Sequence, residues 1–153
     1  MDAEIYHLLA RRLDALPNRF PATQSGVELR LLRKLFSPEE ALLAGVMNLD
    51  PAAVAAIANR AGVDPKATRN TLKTMAAKGL IDIRRGEAEF TFALKPFVVG
   101  FYESQLPHMD DEMAALFEQY FGETRGGVLR NAPALHRVIP VEQAIPFQVE
   151  IHP

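Results

Sequence analysis

Three polar–proline pairs in the middle of the chain, Ser37-Pro38, Asp50-Pro51 and Asp64-Pro65, constrain the fold more than any other feature. A serine or aspartate side chain can accept hydrogen bonds from the free N–H groups of a first helical turn, and proline is tolerated at the first helical position. Each pair therefore predicts the start of a helix. The predicted helices are short and cover residues 38–48, 51–59 and 65–78.

A glycine and two alternating segments follow the third predicted helix. Gly79 can take the left-handed conformation that ends a helix. Residues 81–85 and 90–94 alternate on either side of a turn at Gly86-Glu87, which predicts a β-hairpin. Three short helices followed by a hairpin are typical of a winged helix-turn-helix, with the third helix as recognition helix and the hairpin as wing.

Further segments flank this core on both sides. Apolar spacing predicts helices over residues 2–16 and 25–36, and Ser25 and Glu28 have the spacing of a capping box. After the hairpin we expect an aromatic-rich helix over residues 97–106, a helix capped by Asp110, and a proline-restricted extended arm. The predicted fold is mainly α: a helical extension, a winged helix-turn-helix with a small β-hairpin wing, a C-terminal helix pair and the arm, at residues 1–36, 37–94, 95–124 and 125–153.

Charge is distributed unevenly along a chain whose net charge is -2. Residues 51–94 carry seven Lys or Arg and four Asp or Glu, whereas residues 96–124 carry six acidic residues and neither Lys nor Arg. A mildly basic segment is therefore followed by an acidic one, and this distribution says more about partners than the total does.

Composition excludes several classes of site and of protein. The chain has no cysteine, which excludes disulfides, thiolate metal sites and protein-thiolate iron–sulfur ligation within these residues. The apolar runs are far shorter than the roughly 18 residues of a membrane helix. The acidic N-terminus lacks the basic and apolar regions of a signal peptide. We expect a cytoplasmic protein without a membrane partner.

The outward face of the predicted recognition helix is the candidate nucleic-acid site. Its polar residues are spaced i, i+3, i+4 and i+7 and form one stripe. Arg and Asn side chains can read base edges, and Lys can neutralise phosphates, while the wing can reach backbone or minor groove. The candidate residues are Lys66, Arg69, Asn70, Lys73, Arg84 and Arg85. Alternatively, the stripe is an ordinary solvated face, because the basic footprint is small and Glu87 and Glu89 near the wing tip oppose phosphate contact.

Catalytic and metal sites are not expected in this chain. The four histidines do not share a helical i, i+4 spacing, and the acids after His108 are better explained as favouring a helix N-terminus. Ser25 and Ser37 are explained as caps, and Gly126-Gly127 lacks the strand and helix of a nucleotide-binding motif. The aromatic residues near the C-terminal helices form a core, a dimer interface or a ligand pocket. We therefore expect no enzyme activity, no metal and no cofactor held by these residues.

Five segments, taken in order, resemble the N-terminal winged-helix region of bacterial ferredoxin-like 4Fe-4S proteins. They are FPATQSGVEL (20–29), LFSPEEA (35–41), MAAKGLI (75–81), FVVGFYE (97–103) and RVIPV (137–141). In that family a cysteine-rich part follows, so the resemblance implies a [4Fe-4S] cluster and electron transfer or redox sensing in a longer chain. Because this sequence has no cysteine, no cluster ligand is carried over to it.

Three functions follow from these observations. The first is an accessory, regulatory or interaction domain of a 4Fe-4S ferredoxin-like protein, with a protein partner or a second copy of the chain. The second is a winged-helix DNA-binding transcriptional regulator. The third is a structural dimerisation module that does not contact DNA.

Overall fold

The computed structural model describes residues 1–125 and shows a mainly helical fold with a small three-stranded antiparallel sheet. In chain order the elements are α1 (Asp2–Asp14), α2 (Val27–Leu35), α3 (Pro38–Gly45), β1 (Ala52–Ala53), α4 (Val54–Ala61), α5 (Pro65–Ala77), β2 (Ile81–Arg85), β3 (Phe90–Leu94), α6 (Tyr102–Gln105) and α7 (Asp111–Glu123). The predicted extended arm lies outside the described residues, apart from its first position.

Two of the three polar–proline pairs begin helices as predicted. The Ser37 hydroxyl accepts from the Glu40 backbone N–H at 3.3 Å, and the Glu40 carboxylate accepts from the Ser37 N–H at 2.8 Å, which completes a capping box at α3. The Asp64 carboxylate accepts from the Ala67 N–H at 2.9 Å and caps α5. These caps fix the starts of the two helices.

The prediction that Asp50 caps a helix at Pro51 is wrong. Residues 52 and 53 form the short strand β1, which pairs antiparallel with Phe92 and Thr91 of β3. Helix α4 starts only at Val54 and has no side-chain cap. The sheet satisfies backbone groups that the first helical turn would otherwise use, so pairing with a distant segment overrides the local capping signal.

The start of α2 also differs from prediction. The helix begins at Val27, because Gly26 adopts a left-handed conformation with φ of 69°. The predicted pairing of Ser25 with Glu28 is replaced by one between Thr23 and Glu28. The Glu28 carboxylate accepts from the Thr23 N–H at 3.2 Å, and the Thr23 hydroxyl accepts from the Val27 N–H at 3.2 Å. The Ser25 hydroxyl also accepts from the Val27 N–H at 3.2 Å, so Ser25 contributes to the cap without forming a box with Glu28.

The hairpin forms at the predicted residues and joins β1 in a sheet of order β1-β3-β2. Its register pairs Ile81 with Leu94, Ile83 with Phe92 and Arg85 with Phe90. Gly79, between α5 and β2, has φ of 75° as predicted from its position after the helix. The central strand is therefore β3, and β2 is an edge strand.

The predicted aromatic helix over residues 97–106 is largely wrong. Val98 and Val99 are extended, Gly100 is also non-helical, and regular α-helix is confined to α6, followed by a short 3₁₀ turn at Leu106–His108. The physical reason is burial: the extended backbone lets Phe97, 1% exposed, and Phe101, fully buried, both enter the core. Core packing here overrides helical periodicity.

An aromatic cluster around Phe97 joins the two ends of the described chain. The Phe97 ring centroid lies 5.1 Å from that of Phe20 and 5.3 Å from that of Tyr120. Helix α7, capped by Asp110 as predicted, carries Tyr120 and packs against α2. Residues before and after the hairpin therefore share one core.

None of the helices within residues 1–125 combines the length and the apolar character needed to cross a membrane.

Candidate functional site

Helix α5 presents the predicted polar stripe to solvent. Thr68, Leu72 and Met75 are buried against the core, so the opposite side of the helix faces outward. All four stripe residues are exposed, namely Lys66, Arg69, Asn70 and Lys73. The local prediction for this helix is confirmed as far as burial is concerned.

A groove of about 480 Å³ lies between α5 and the β2–β3 turn. We refer to it as the hairpin groove. Basic side chains from α5 and β2, acidic side chains from the turn and apolar side chains from the sheet and α4 line it: Val54, Arg69, Lys73, Arg85, Gly86, Glu87, Ala88, Glu89, Phe90 and Phe92. Residues distant in sequence thus converge on one open site.

The structure divides the six predicted residues into two groups. Arg69, Lys73 and Arg85 line the hairpin groove together, whereas Lys66 and Asn70 do not line it. Arg84 pairs with Thr91, one position from the Arg85–Phe90 pair, so the pleat places it on the opposite face of the hairpin. The prediction had grouped Arg84 with Arg85, and only the strand register separates them.

Charges in the groove have both signs and no partners within residues 1–125. The ion pairs and hydrogen bonds among these residues include no side chain of Arg69, Lys73, Arg85, Glu87 or Glu89. Elsewhere long cations do find partners, as Lys34 does with Glu112 at 2.6 Å. Among the described residues, the groove therefore collects charges of both signs that are not paired with one another.

An aromatic side chain in the groove was not anticipated from the sequence. Phe90 is 51% exposed although it belongs to an alternating strand whose next inward residue, Phe92, is 1% exposed. The two share a face of the sheet because they are two residues apart. Phe90 lies at the turn end of β3, where its side chain is exposed. Its position next to the predicted turn was the one signal in the sequence that indicated this exposure.

The C-terminal end of α5 is fixed by contacts from other elements. Lys78 forms an ion pair with the buried carboxylate of Glu40 at 2.6 Å, and its backbone carbonyl accepts from the Gln105 side-chain amide at 3.0 Å. A Cβ atom on Gly79 would lie 2.5 Å from Cβ of Ser104, so the residue 97–106 segment packs directly against the helix end. These contacts hold the C-terminal end of α5 against α3 and against the residue 97–106 segment.

The acidic residues near His108 have structural roles. Asp110 accepts from the Met113 N–H at 2.7 Å and pairs with Lys34 at 3.0 Å. The backbone hydrogen bond from Met113, together with the Lys34 ammonium, lowers the pKa of the Asp110 carboxyl. Within residues 1–125 no group of three His, Cys, Asp or Glu side chains is arranged to hold a metal ion.

Comparisons of this chain with protein-family models, with curated proteins and with solved structures gave no match.

Proposed function

We propose that the chain is a winged helix-turn-helix module that serves as an accessory, regulatory or interaction domain of a ferredoxin-like [4Fe-4S] protein. Helices α4 and α5, joined by a tight turn at Gly62, correspond to the helix-turn-helix, and the β2–β3 hairpin corresponds to the wing. The proposal includes a cytoplasmic location and assigns no catalytic step to the chain. The cluster belongs to a cysteine-containing part outside these residues, as the resemblance implies.

One observation carries this proposal: segments that resemble the ferredoxin-like family pack against one another in the core. The ring centroid of Phe20, in FPATQSGVEL, lies 5.1 Å from that of Phe97, in FVVGFYE. The ring centroid of Phe36, in LFSPEEA, lies 5.7 Å from that of Phe101, also in FVVGFYE. These segments are far apart in sequence and contribute aromatic side chains to one core cluster. The resemblance thus describes a packing unit, in which the winged helix is attached to flanking helices.

The natural gene product, purified without oxygen, tests the iron–sulfur part of the proposal. We expect stoichiometric iron and acid-labile sulfide, and an electron paramagnetic resonance signal of a reduced [4Fe-4S] cluster. The 153-residue chain is the matched control, because it has no cysteine to ligate a cluster. A gene product that ends at Pro153, or one that contains cysteine but binds no iron under these conditions, would contradict the proposal.

DNA binding is the second candidate, and it is favoured by the meeting of Arg69, Lys73 and Arg85 on one groove. In this alternative α5 enters the major groove and the wing contacts the backbone. Fluorescence anisotropy with a mixed-sequence duplex at several salt concentrations tests it. We expect the double variant Arg69→Ala/Lys73→Ala to reduce the slope of log affinity against log salt by about 1–2.

The exposed Arg11 on α1 supplies the control for that measurement. Arg11→Ala removes the same kind of charge from a distant surface and is expected to leave the slope unchanged. If the double variant and the original chain show equal slopes of log affinity against log salt, binding of DNA by this face of α5 is excluded.

A further inference from the structure

We propose that the hairpin groove is a self-association site, in which the hairpin tip of one copy enters the groove of a second copy and receives that copy's tip in return. The hairpin tip is residues 86–89, Gly-Glu-Ala-Glu. The inference concerns the 153-residue chain itself and does not depend on an iron–sulfur part.

Charge complementarity is the first argument. The tip carries Glu87 and Glu89, and the opposite wall of the groove carries Arg69 and Lys73. Within residues 1–125 these acids and bases do not form ion pairs with each other, although they line the same groove. A second acidic tip can therefore approach bases whose charge no carboxylate of residues 1–125 neutralises.

Exposed apolar side chains next to the tip are the second argument. Phe90 is 51% exposed and Ile83 is 45% exposed. The register places both on one face of the hairpin, because Ile83 pairs with Phe92, two residues from Phe90. Aromatic residues are enriched at protein–protein interfaces, and burial of this face would remove apolar surface from water.

Symmetry makes a second copy the natural occupant. A patch that contains both the acidic tip and the basic wall is complementary to itself, which is the condition for an isologous two-fold interface. Each copy then contributes one tip and one wall, and each contact occurs twice. The groove has a volume of about 480 Å³, which is many times the volume of about 30 Å³ that one water molecule occupies in the liquid.

A nucleic acid fits the same groove less well. Phosphate groups would be attracted by Arg69, Lys73 and Arg85 but repelled by Glu87 and Glu89, which line the same cavity. The carboxylates of an incoming tip meet the same Glu87 and Glu89, but the tip also brings apolar neighbours that cover Phe90, which a phosphate group does not. DNA is the competing occupant, and fluorescence anisotropy with a duplex and the same charge-reversal variants would detect it.

The test uses two charge-reversal variants of the 153-residue chain in sedimentation equilibrium. The tip variant is Glu87→Lys/Glu89→Lys, and the wall variant is Arg69→Glu/Lys73→Glu. Each variant alone brings like charges together in a dimer, so we expect the dissociation constant to rise at least tenfold. An equimolar mixture restores both contacts, one with the original signs and one with reversed signs, and we expect a heterodimer with nearly the original dissociation constant.

Two controls separate this interface from general charge effects and from misfolding. Glu118→Lys reverses an exposed charge on α7, away from the groove, and is expected to leave the dimer unchanged. Circular dichroism melts report on folding, and Phe90→Ser provides a variant without charge reversal that is expected to weaken the dimer while keeping the fold. A heterodimer in the mixture also requires both variants to be folded.

Three results would overturn the inference. They are an original chain that stays monomeric at every concentration, variants that dimerise as well as the original chain, and a mixture that stays monomeric. The same variants separate self-association from DNA binding, because the tip variant adds positive charge and would strengthen attraction to DNA while it weakens the dimer.

Discussion

The hairpin groove and the aromatic cluster around Phe97 differ in how far their aromatic side chains are exposed. Phe97 is 1% exposed and lies between rings from the N-terminal loop and from α7. Phe90 is 51% exposed, beside charges that have no partner within residues 1–125. The first arrangement leaves nothing for a partner to add. The second leaves apolar surface and charge available, which is the expected state of a binding surface before it is occupied.

Truncation of each aromatic residue tests this contrast most strongly. We expect Phe97→Ala to lower the free energy of unfolding by about 3–5 kcal/mol, because it leaves a cavity where several aromatic rings meet. Phe90→Ala is the matched control and is expected to change stability by about 0.5 kcal/mol or less. Urea denaturation followed by circular dichroism measures both, and similar losses for the two variants would remove the distinction between core and groove.

Two glycines with left-handed backbone provide the next comparison: Gly79 follows α5, and Gly62 follows α4. Gly79→Ala is expected to cost about 1–2 kcal/mol for the positive φ and about 1–3 kcal/mol more for crowding against Ser104. Gly62 has a similar φ but open space around its Cβ position, so Gly62→Ala isolates the backbone term. Thermal melts of both proteins should show the larger loss at residue 79; equal losses would mean that the segment around Ser104 moves aside freely.

The buried carboxylate of Glu40 is expected to matter less than the glycine contact. Its side chain is 6% exposed, but its partner Lys78 is 41% exposed and can return to water. Glu40→Ala removes half of a capping box as well as the ion pair, and we expect a loss of about 1–2 kcal/mol. The neighbouring Glu39→Ala changes an exposed carboxylate on the same helix, and a loss in urea denaturation as large as that of Glu40→Ala would contradict this account.

The smallest expected effect is a pH dependence at the start of α7. Because the folded pKa of Asp110 is lowered below its ordinary value of 3.8, the carboxylate contributes stability at pH values above its unfolded pKa. That contribution is lost as pH falls through the folded pKa. Asp110→Asn is therefore expected to flatten the decline of stability between about pH 5 and pH 2, as measured by thermal melts, and an unchanged profile would exclude a role for this charge.

Local signals in the sequence predicted the elements that depend only on neighbouring residues. The caps at Ser37, Asp64 and Asp110, the helix stop at Gly79 and the hairpin strands are all present as expected. The caps and the helix stop depend on hydrogen bonds or backbone conformation within about four residues, and the hairpin pairs residues that are close in sequence, such as Ile81 with Leu94. Helical spacing also predicted that the α5 stripe is exposed, because the opposite face of the helix is apolar.

Predictions from local signals failed where contacts between distant segments decide the backbone conformation. The cap expected at Asp50 gave way to a strand, because residues 52 and 53 pair with β3. The helix expected over residues 97–106 gave way to extended backbone, because Phe97 and Phe101 both enter the core. In each case a contact made across about 40 or more residues of chain outweighs a local preference that is small by comparison.

The sequence by itself determined the approximate positions of most helices and strands of residues 1–125, and which residues of α5 face outward, because those properties follow from spacing and capping. Only the tertiary structure decided that Arg69, Lys73 and Arg85 share a groove with Glu87, Glu89 and Phe90, while Arg84 lies on the other face. The end of α5 beside the hairpin is held by contacts of Lys78 and Gly79 with Glu40, Ser104 and Gln105, and these are made between segments far apart in the chain.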